Sequence, residues 1–368
     1  MKDMYRIKSM ARIGVWVVAA LLFWLLFPLC IPSFHAEVPD RQIYSIRHQE
    51  LRDNNPLYTD LFLKSIKSHN GYLILGTSES NDRPKGNYYN FLNADTSISN
   101  GFSLVAGAGR TACTYFPLIQ SNENVSGLKV IYYINPAYWC GKLAPNSADY
   151  FLRYVSYTAY KKANRPKRKD VEDILNKNLQ STQFVDRVSD FLAYYVDKWR
   201  RKFYQDMAFN LDKSKFDKGV AWLYPKDPTS LKMLAQPDTS QYDYAYNIVK
   251  SFDIHSYTMH PNMQETYRFD ELRTMVRLCK SRKVDVTYVV GPYNKIAYQQ
   301  ANPMELPYIQ EIVDSIRHLL EEEGVSYIDC TEFSSTPGYF ADWQHHTSYG
   351  GYLLYQKMRE YVLEKENR

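Results

Sequence analysis

Five short apolar runs recur along the chain, each bounded by turn residues or charges: Tyr72 to Leu75, Gly101 to Ala106, Lys129 to Ile134, Val284 to Val290 and Val325 to Ile328. Runs of this length read as buried strands. Between or after them lie helical patterns, notably Asp270 to Lys280, Tyr308 to Glu323 and Gly350 to Lys365, the last two with apolar residues recurring at three and four. Strand and helix alternation predicts an α/β fold, a doubly wound and mostly parallel sheet covered on both faces. Ligands of such sheets bind outside the carboxyl ends of the strands, where Ser78, Gly107, Asn135 and Pro292 fall.

Two stretches depart from this alternation. Ile13 to Ile31 carries no charged residue, and a helix rising ~1.5 Å per residue over that length nearly crosses a ~30 Å hydrocarbon core. Lys2, Arg6, Lys8 and Arg12 precede it, so the positive-inside rule puts residues 1–12 in the cytoplasm and everything after Ile31 outside. No small-x-small cleavage site follows, so the segment reads as a retained signal-anchor in the cell membrane. Residues 32–70 form a polar stalk and lead into the extracytoplasmic domain, 71–368. The second departure, about 146–253, is rich in tyrosine and basic residues and contains the helix-like Val171 to Phe209; it reads as a mainly helical insertion. Its basic residues, among them Lys161, Lys162, Arg165, Lys167, Arg200 and Arg201, suit either a solvated helix face or a contact surface for lipid headgroups or a phosphate-bearing polymer.

Charge and cysteines narrow the classes. The chain has 368 residues and a formal charge of +5, too mild for a dedicated nucleic-acid binder, and an extracytoplasmic enzyme rarely meets nucleic acid. The five cysteines form no C-x-x-C pair and have no metal-ligand spacing with the histidines, so neither a zinc site nor another metal or redox cofactor is expected. Outside the cytoplasm, a Cys113 to Cys140 disulfide is geometrically conceivable, since both follow neighbouring strands.

Candidate chemistry comes from two separated segments. Gly76-Thr77-Ser78-Glu79-Ser80 follows the first strand, and its glycine permits a tight turn exposing the Ser78 oxygen. Alone, such a turn is commonly a strand-to-helix connection with an N-cap. Far downstream, Asp342-Trp343-Gln344-His345 offers a base and an orienting carboxylate from one short loop, which is what an activated serine requires. His346 is the rival base; the i to i+3 spacing from Asp342 favours His345, leaving His346 to line the site or pack. Backbone N–H groups at Ser78 and at Gly107-Ala108-Gly109, with the Asn135 amide, would supply an oxyanion hole. The glycines serve turn geometry equally well, and Asn135-Pro136 is a common turn initiator.

The Ser, Gly, Asn, His order resembles the SGNH hydrolases, and the local sequences are similar to the DltD family of teichoic acid D-alanylation. The resemblance rests on the anchor at Ile13 to Ile31, on Gly76-Thr77-Ser78-Glu79-Ser80 beside the family's Gly-Ser-Ser-Glu-Leu, and on Asp342 through His345 with Gly350 five residues on. Ile134-Asn135-Pro136-Ala137-Tyr138-Trp139 and Val290-Gly291-Pro292-Tyr293-Asn294 resemble further family segments. Thr77, Ser80 and Asn135 depart from the pattern, pointing to a different acyl group or acceptor. The resemblance implies an SGNH-like fold and a serine acyltransferase or esterase moving a D-alanyl or related acyl group onto teichoic acid or another envelope polymer. It implies partnership with a membrane-bound O-acyltransferase of the DltB type, an acyl carrier protein, an anionic envelope polymer or polysaccharide, and membrane lipid. The competing functions are a polysaccharide O-acyl esterase and a non-catalytic scaffold for the acyltransferase.

Overall fold

The computed structural model describes residues 2–30, 63–80 apart from 65, 87–106, 112–121, 123–140, 250 and 267–367. Within them the five expected strands form one parallel sheet in the order β2-β1-β3-β4-β5. They are β1 (Tyr72–Gly76), β2 (Phe102–Ala106), β3 (Lys129–Ile134), β4 (Asp285–Val290) and β5 (Tyr327–Asp329). The helices are α1 (Lys2–Cys30), α2 (Tyr88–Ala94), α3 (Ala112–Ser121), α4 (Tyr267–Ser281), α5 (Lys295–Ala301), α6 (Leu306–Glu322) and α7 (Ser348–Glu366).

Period-two alternation divides the strand side chains between two cores. Leu73, Leu75, Val130, Tyr132, Tyr288 and Val290 pack with α3, α4 and α6 on one face. Tyr72, Ile74, Phe102, Leu104, Ile131 and Val289 pack with α2 and α7 on the other. Both faces are covered, so the strands read as continuous apolar runs rather than alternating ones. Each fully buried Leu, Ile or Val contributes ~1.5–3 kcal/mol of transfer free energy. The core starts ahead of β1, because Leu63 and Ile66, assigned by sequence to the lead-in, are wholly buried.

β2 and β4 begin one residue later than expected, and β5 begins two residues later, for a local reason. Gly324 adopts φ +58° and closes α6, its N–H bonding Glu321 O at 2.9 Å while the Val325 N–H bonds Leu320 O at 3.1 Å. Val325 is thereby consumed in the helix cap, and β5 starts at Tyr327 rather than Val325. At the amino edge of the sheet, Glu366 of α7 receives Tyr72 Oη at 2.6 Å and Lys129 Nζ at 2.5 Å, fastening the helix across β1 and β3.

The order β2-β1-β3 means that the chain leaves β1 to one side and returns on the other. The crevice at the carboxyl ends of β1 and β3 is therefore the switch point of the sheet, where ligands bind. Among the described residues no helix is long and apolar enough to cross a membrane. The expected span, Ile13 to Ile31, ends outside those residues. The 146–253 insertion also lies outside them, save residue 250, as do the side chains of Cys113 and Cys140.

Candidate active site

The turn after β1 lifts Ser78 into a short 3-10 helix, Ser78–Ser80, at the switch point. The strand end beneath it is fixed by Tyr115 of α3, whose hydroxyl meets the Gly76 carbonyl and donates to Val105 O at 3.0 Å. Gly76 has no room for a side chain: a Cβ there would lie 2.5 Å from Ser80 Oγ. Ser80 itself is fully buried and shares a 2.7 Å hydrogen bond with the Tyr88 hydroxyl. The Ser78 turn is thus clamped from both faces of the sheet.

His345 arrives on the loop between β5 and α7. A bridge between Phe340 and His346, with Ala341 N–H bonding His345 O at 2.8 Å, folds this loop back on itself. Thr347 caps α7 by accepting the Gly350 N–H at 3.1 Å, and donates its own hydroxyl proton to Gly338 O at 2.6 Å. Asn294, at the end of β4, does two jobs. Its Oδ1 accepts from the Ala297 N–H at 3.0 Å to cap α5, while its Nδ2 donates to the Asp342 carbonyl at 2.9 Å.

These supports bring three side chains together. Ser78 Oγ lies 2.8 Å from His345 Nε2, and His345 Nδ1 lies 2.7 Å from Asp342 Oδ2. A carboxylate can only accept, so Nδ1 carries the hydrogen and the neutral ring's Nε2 accepts from Ser78. Asp342 Oδ1 also accepts the backbone N–H groups of His345 at 2.7 Å and Gln344 at 2.9 Å. Burial pushes the Asp342 carboxyl up, but the His345 side chain and these two N–H groups outweigh it and hold the carboxyl below its ordinary range. Asp342 is therefore an anion at neutral pH, and it locks the imidazole tautomer. The Gln344 amide nitrogen lies 3.4 Å from the same His345 Nε2.

His346 points elsewhere. Its Nδ1 bonds Thr347 O at 2.9 Å and its ring packs obliquely on Tyr88, with centroids 6.1 Å apart. Neighbouring residues in an extended segment face opposite ways, which separates the two histidines. Asn135 stands at the switch point as expected, 2 % exposed, with its amide nitrogen bonded to the carboxyl of Glu79. Gly107 and Gly109 lie outside the described residues. Among the described residues no group of three or more His, Cys, Asp or Glu is placed to hold a metal ion.

Sequence reasoning gave no role to Glu79, Tyr115 or Asn294. Glu79 and Asn294 were visible only as members of quoted segments, and Tyr115 sits within an amphipathic helix with nothing to mark it. Glu79 is buried, and that burial pushes its carboxyl well above the ordinary range against the pull of its own backbone N–H, with the Asp342 charge adding to the rise. The two carboxyls are driven apart, Asp342 downward and Glu79 upward.

No curated protein matches the chain. The family model described as DltD protein matches residues 243–363, the segment that contains β4, α6, β5, most of α7 and both Asp342 and His345, while Ser78 lies ahead of it. Over that segment, about a third of the chain and the part that holds Asp342 and His345, the sequence is similar to the DltD family.

Proposed function

We propose that the chain is a membrane-anchored, extracytoplasmic serine acyl-transfer enzyme of SGNH type, moving a D-alanyl or related acyl group onto teichoic acid or another cell-envelope polymer. The observation that carries the reading is the unbroken line of hydrogen bonds from Asp342 through His345 to Ser78, at 2.7 and 2.8 Å. Nothing in the packing of the sheet requires a serine, a histidine and a carboxylate to meet there.

In the first half-reaction Ser78 Oγ attacks an ester or thioester carbonyl while His345 Nε2 takes its proton; the new Oγ–C bond forms as the carbonyl π pair moves onto oxygen. The tetrahedral oxyanion is held by the Ser78 N–H and the Asn135 amide. Its collapse expels the leaving group, which takes the proton from His345. In the second half-reaction a hydroxyl of the acceptor polymer gives its proton to His345 and attacks the acyl-serine; the Oγ–C bond then breaks and His345 returns the proton to Ser78 Oγ. Asp342 keeps the imidazole in the accepting tautomer and stabilises the transient imidazolium.

The anchor is supported by the side chains of α1. Ile13, Val15, Trp16, Val17, Val18, Leu21, Leu22 and Phe23 are all at least half exposed, on every side of the helix, with Arg12 just before them. An apolar surface of that extent suits lipid rather than water. The partners that fit are a membrane-bound O-acyltransferase of the DltB type and an anionic polymer acceptor. The test is labelling of the full chain in detergent with a fluorophosphonate probe. Stoichiometric modification at Ser78, lost in Ser78→Ala with the circular dichroism unchanged, is the expected result. A chain that stays unlabelled is a scaffold, and the catalytic reading fails.

A further inference from the structure

Glu79 directly follows the nucleophile, is 3 % exposed, and joins three elements around the switch point. Its carboxyl oxygen Oε1 accepts from Asn135 Nδ2 at the end of β3. Its main-chain carbonyl accepts from Asn87 Nδ2 at 3.1 Å. Asn87 is itself the N-cap of α2, accepting the Tyr89 N–H at 3.3 Å through Oδ1. The other carboxyl oxygen of Glu79 is buried with no hydrogen-bond partner among the described residues.

The orientation of Asn135 is fixed by the chain itself. Its Oδ1 accepts the Ala137 N–H at 2.8 Å, so the amide nitrogen must be the atom that faces Glu79. That nitrogen carries two hydrogens. One is given to Glu79, which leaves the second to be directed by that bond. We propose that Glu79 is a positioning residue for acyl transfer at Ser78: through its carboxyl it turns Asn135 so that the second amide hydrogen meets the oxygen of the acyl group, and through its main chain it ties the nucleophile turn to α2.

The protonation state of Glu79 fits this task. The titratable groups whose fields reach it are Asp342, Tyr88 and Tyr133, none of them cationic. A second carboxylate charge beside Asp342 would be uncompensated, so the side chain works as a neutral hydrogen-bonding group. A glutamine, neutral and of the same length, satisfies the same need; a shorter aspartate cannot reach Asn135.

This inference rests on the acyl-transfer reading, and its test separates the two. The full chain in detergent is assayed for p-nitrophenyl acetate hydrolysis and for fluorophosphonate labelling, as wild type, Glu79→Gln, Glu79→Ala, Asn135→Ala and the double alanine variant. Asn135→Ala lowers kcat roughly a hundredfold with little change in KM, as loss of one oxyanion donor does. Glu79→Ala lowers kcat roughly tenfold or more, and the double variant is no worse than Asn135→Ala, because residues acting through one another are not additive. Glu79→Gln stays within about threefold of wild type. Multiplying losses in the double variant, full activity of Glu79→Ala, or a folded Glu79→Gln as impaired as Glu79→Ala each overturn the proposal. If Glu79→Ala does not fold, the cycle is run with Glu79→Asp and decided by the same additivity. A wild-type chain that neither turns over nor labels overturns the acyl-transfer reading, and Glu79 with it; normal labelling with additive losses overturns the role of Glu79 alone.

Discussion

Asp342→Asn isolates the contribution of one charge to the serine's reactivity. The side chain keeps its shape, and Oδ1 of the amide can still accept the His345 and Gln344 N–H groups now held at 2.7 and 2.9 Å. The loop also keeps its anchor, since Asn294 grips the Asp342 main chain rather than the side chain. At the Oδ2 position, however, an NH₂ group would face His345 Nδ1, now 2.7 Å away, and two donors cannot share that distance. The ring is driven to the other tautomer, with its hydrogen on Nε2, the atom that must accept from Ser78. In serine hydrolases this exchange costs about 10⁴-fold in kcat, or roughly 5 kcal/mol at 1.36 kcal/mol per decade. Stability should fall by only ~1–2 kcal/mol, the difference between a charged and a neutral acceptor. The assay is ester turnover and fluorophosphonate labelling beside urea unfolding of the same samples. Turnover within about tenfold of wild type in a folded protein would refute the assignment of Asp342 as the tautomer lock.

Two further predictions concern the frame around the site. A Cβ at Gly350 would run into the Tyr339 carbonyl and lie 2.9 Å from His346 Cβ, so Gly350→Ala should cost about 1–3 kcal/mol and lower Tm by several degrees. An unchanged Tm would show that the loop and the first turn of α7 are not packed as described. Asp95 accepts from Ser97 N and Oγ, from Tyr355 Oη at 2.8 Å and from Arg359 Nε at 2.6 Å; burial opposes these bonds, yet they bring its carboxyl down to about 2. A carboxyl lowered on folding stabilises above its unfolded value near 4 and loses that contribution as pH falls toward 2. Asp95→Asn should therefore lose ~1–2 kcal/mol at pH 7, discounted for the half-exposed arginine, and almost nothing near pH 2. A loss independent of pH between those limits would contradict this reading.

The strands were legible because a sheet covered on both faces demands unbroken apolar runs, and such runs stand out from their polar flanks. The start of β5 was not, because Val325 is apolar enough for a strand and only the left-handed backbone of Gly324 shows that its N–H belongs to the helix cap. Ser78, Asp342 and His345 were legible as a set of types with no internal proof of contact. Their meeting depends on β1 and β5 ending on the same edge, which is a property of parallel topology rather than of either segment. Glu79 escaped because an acidic residue in a turn reads as solvent-exposed by default. Its burial follows from the approach of Asn135 across the β1 and β3 ends, a contact between residues 56 apart in the chain.

The separation of serine and base has a consequence for the timing of synthesis. His345 follows Ser78 by 267 residues, and at ~5–20 residues per second the ribosome needs on the order of tens of seconds to travel between them. During that interval the emerging chain exposes a serine with no partner to deprotonate it, an ordinary alcohol that cannot be acylated. Under the proposed mechanism, reactivity is conferred only when the last strand and the loop after it have docked, so the fold itself delays arming of Ser78 until the sheet that must contain it is complete.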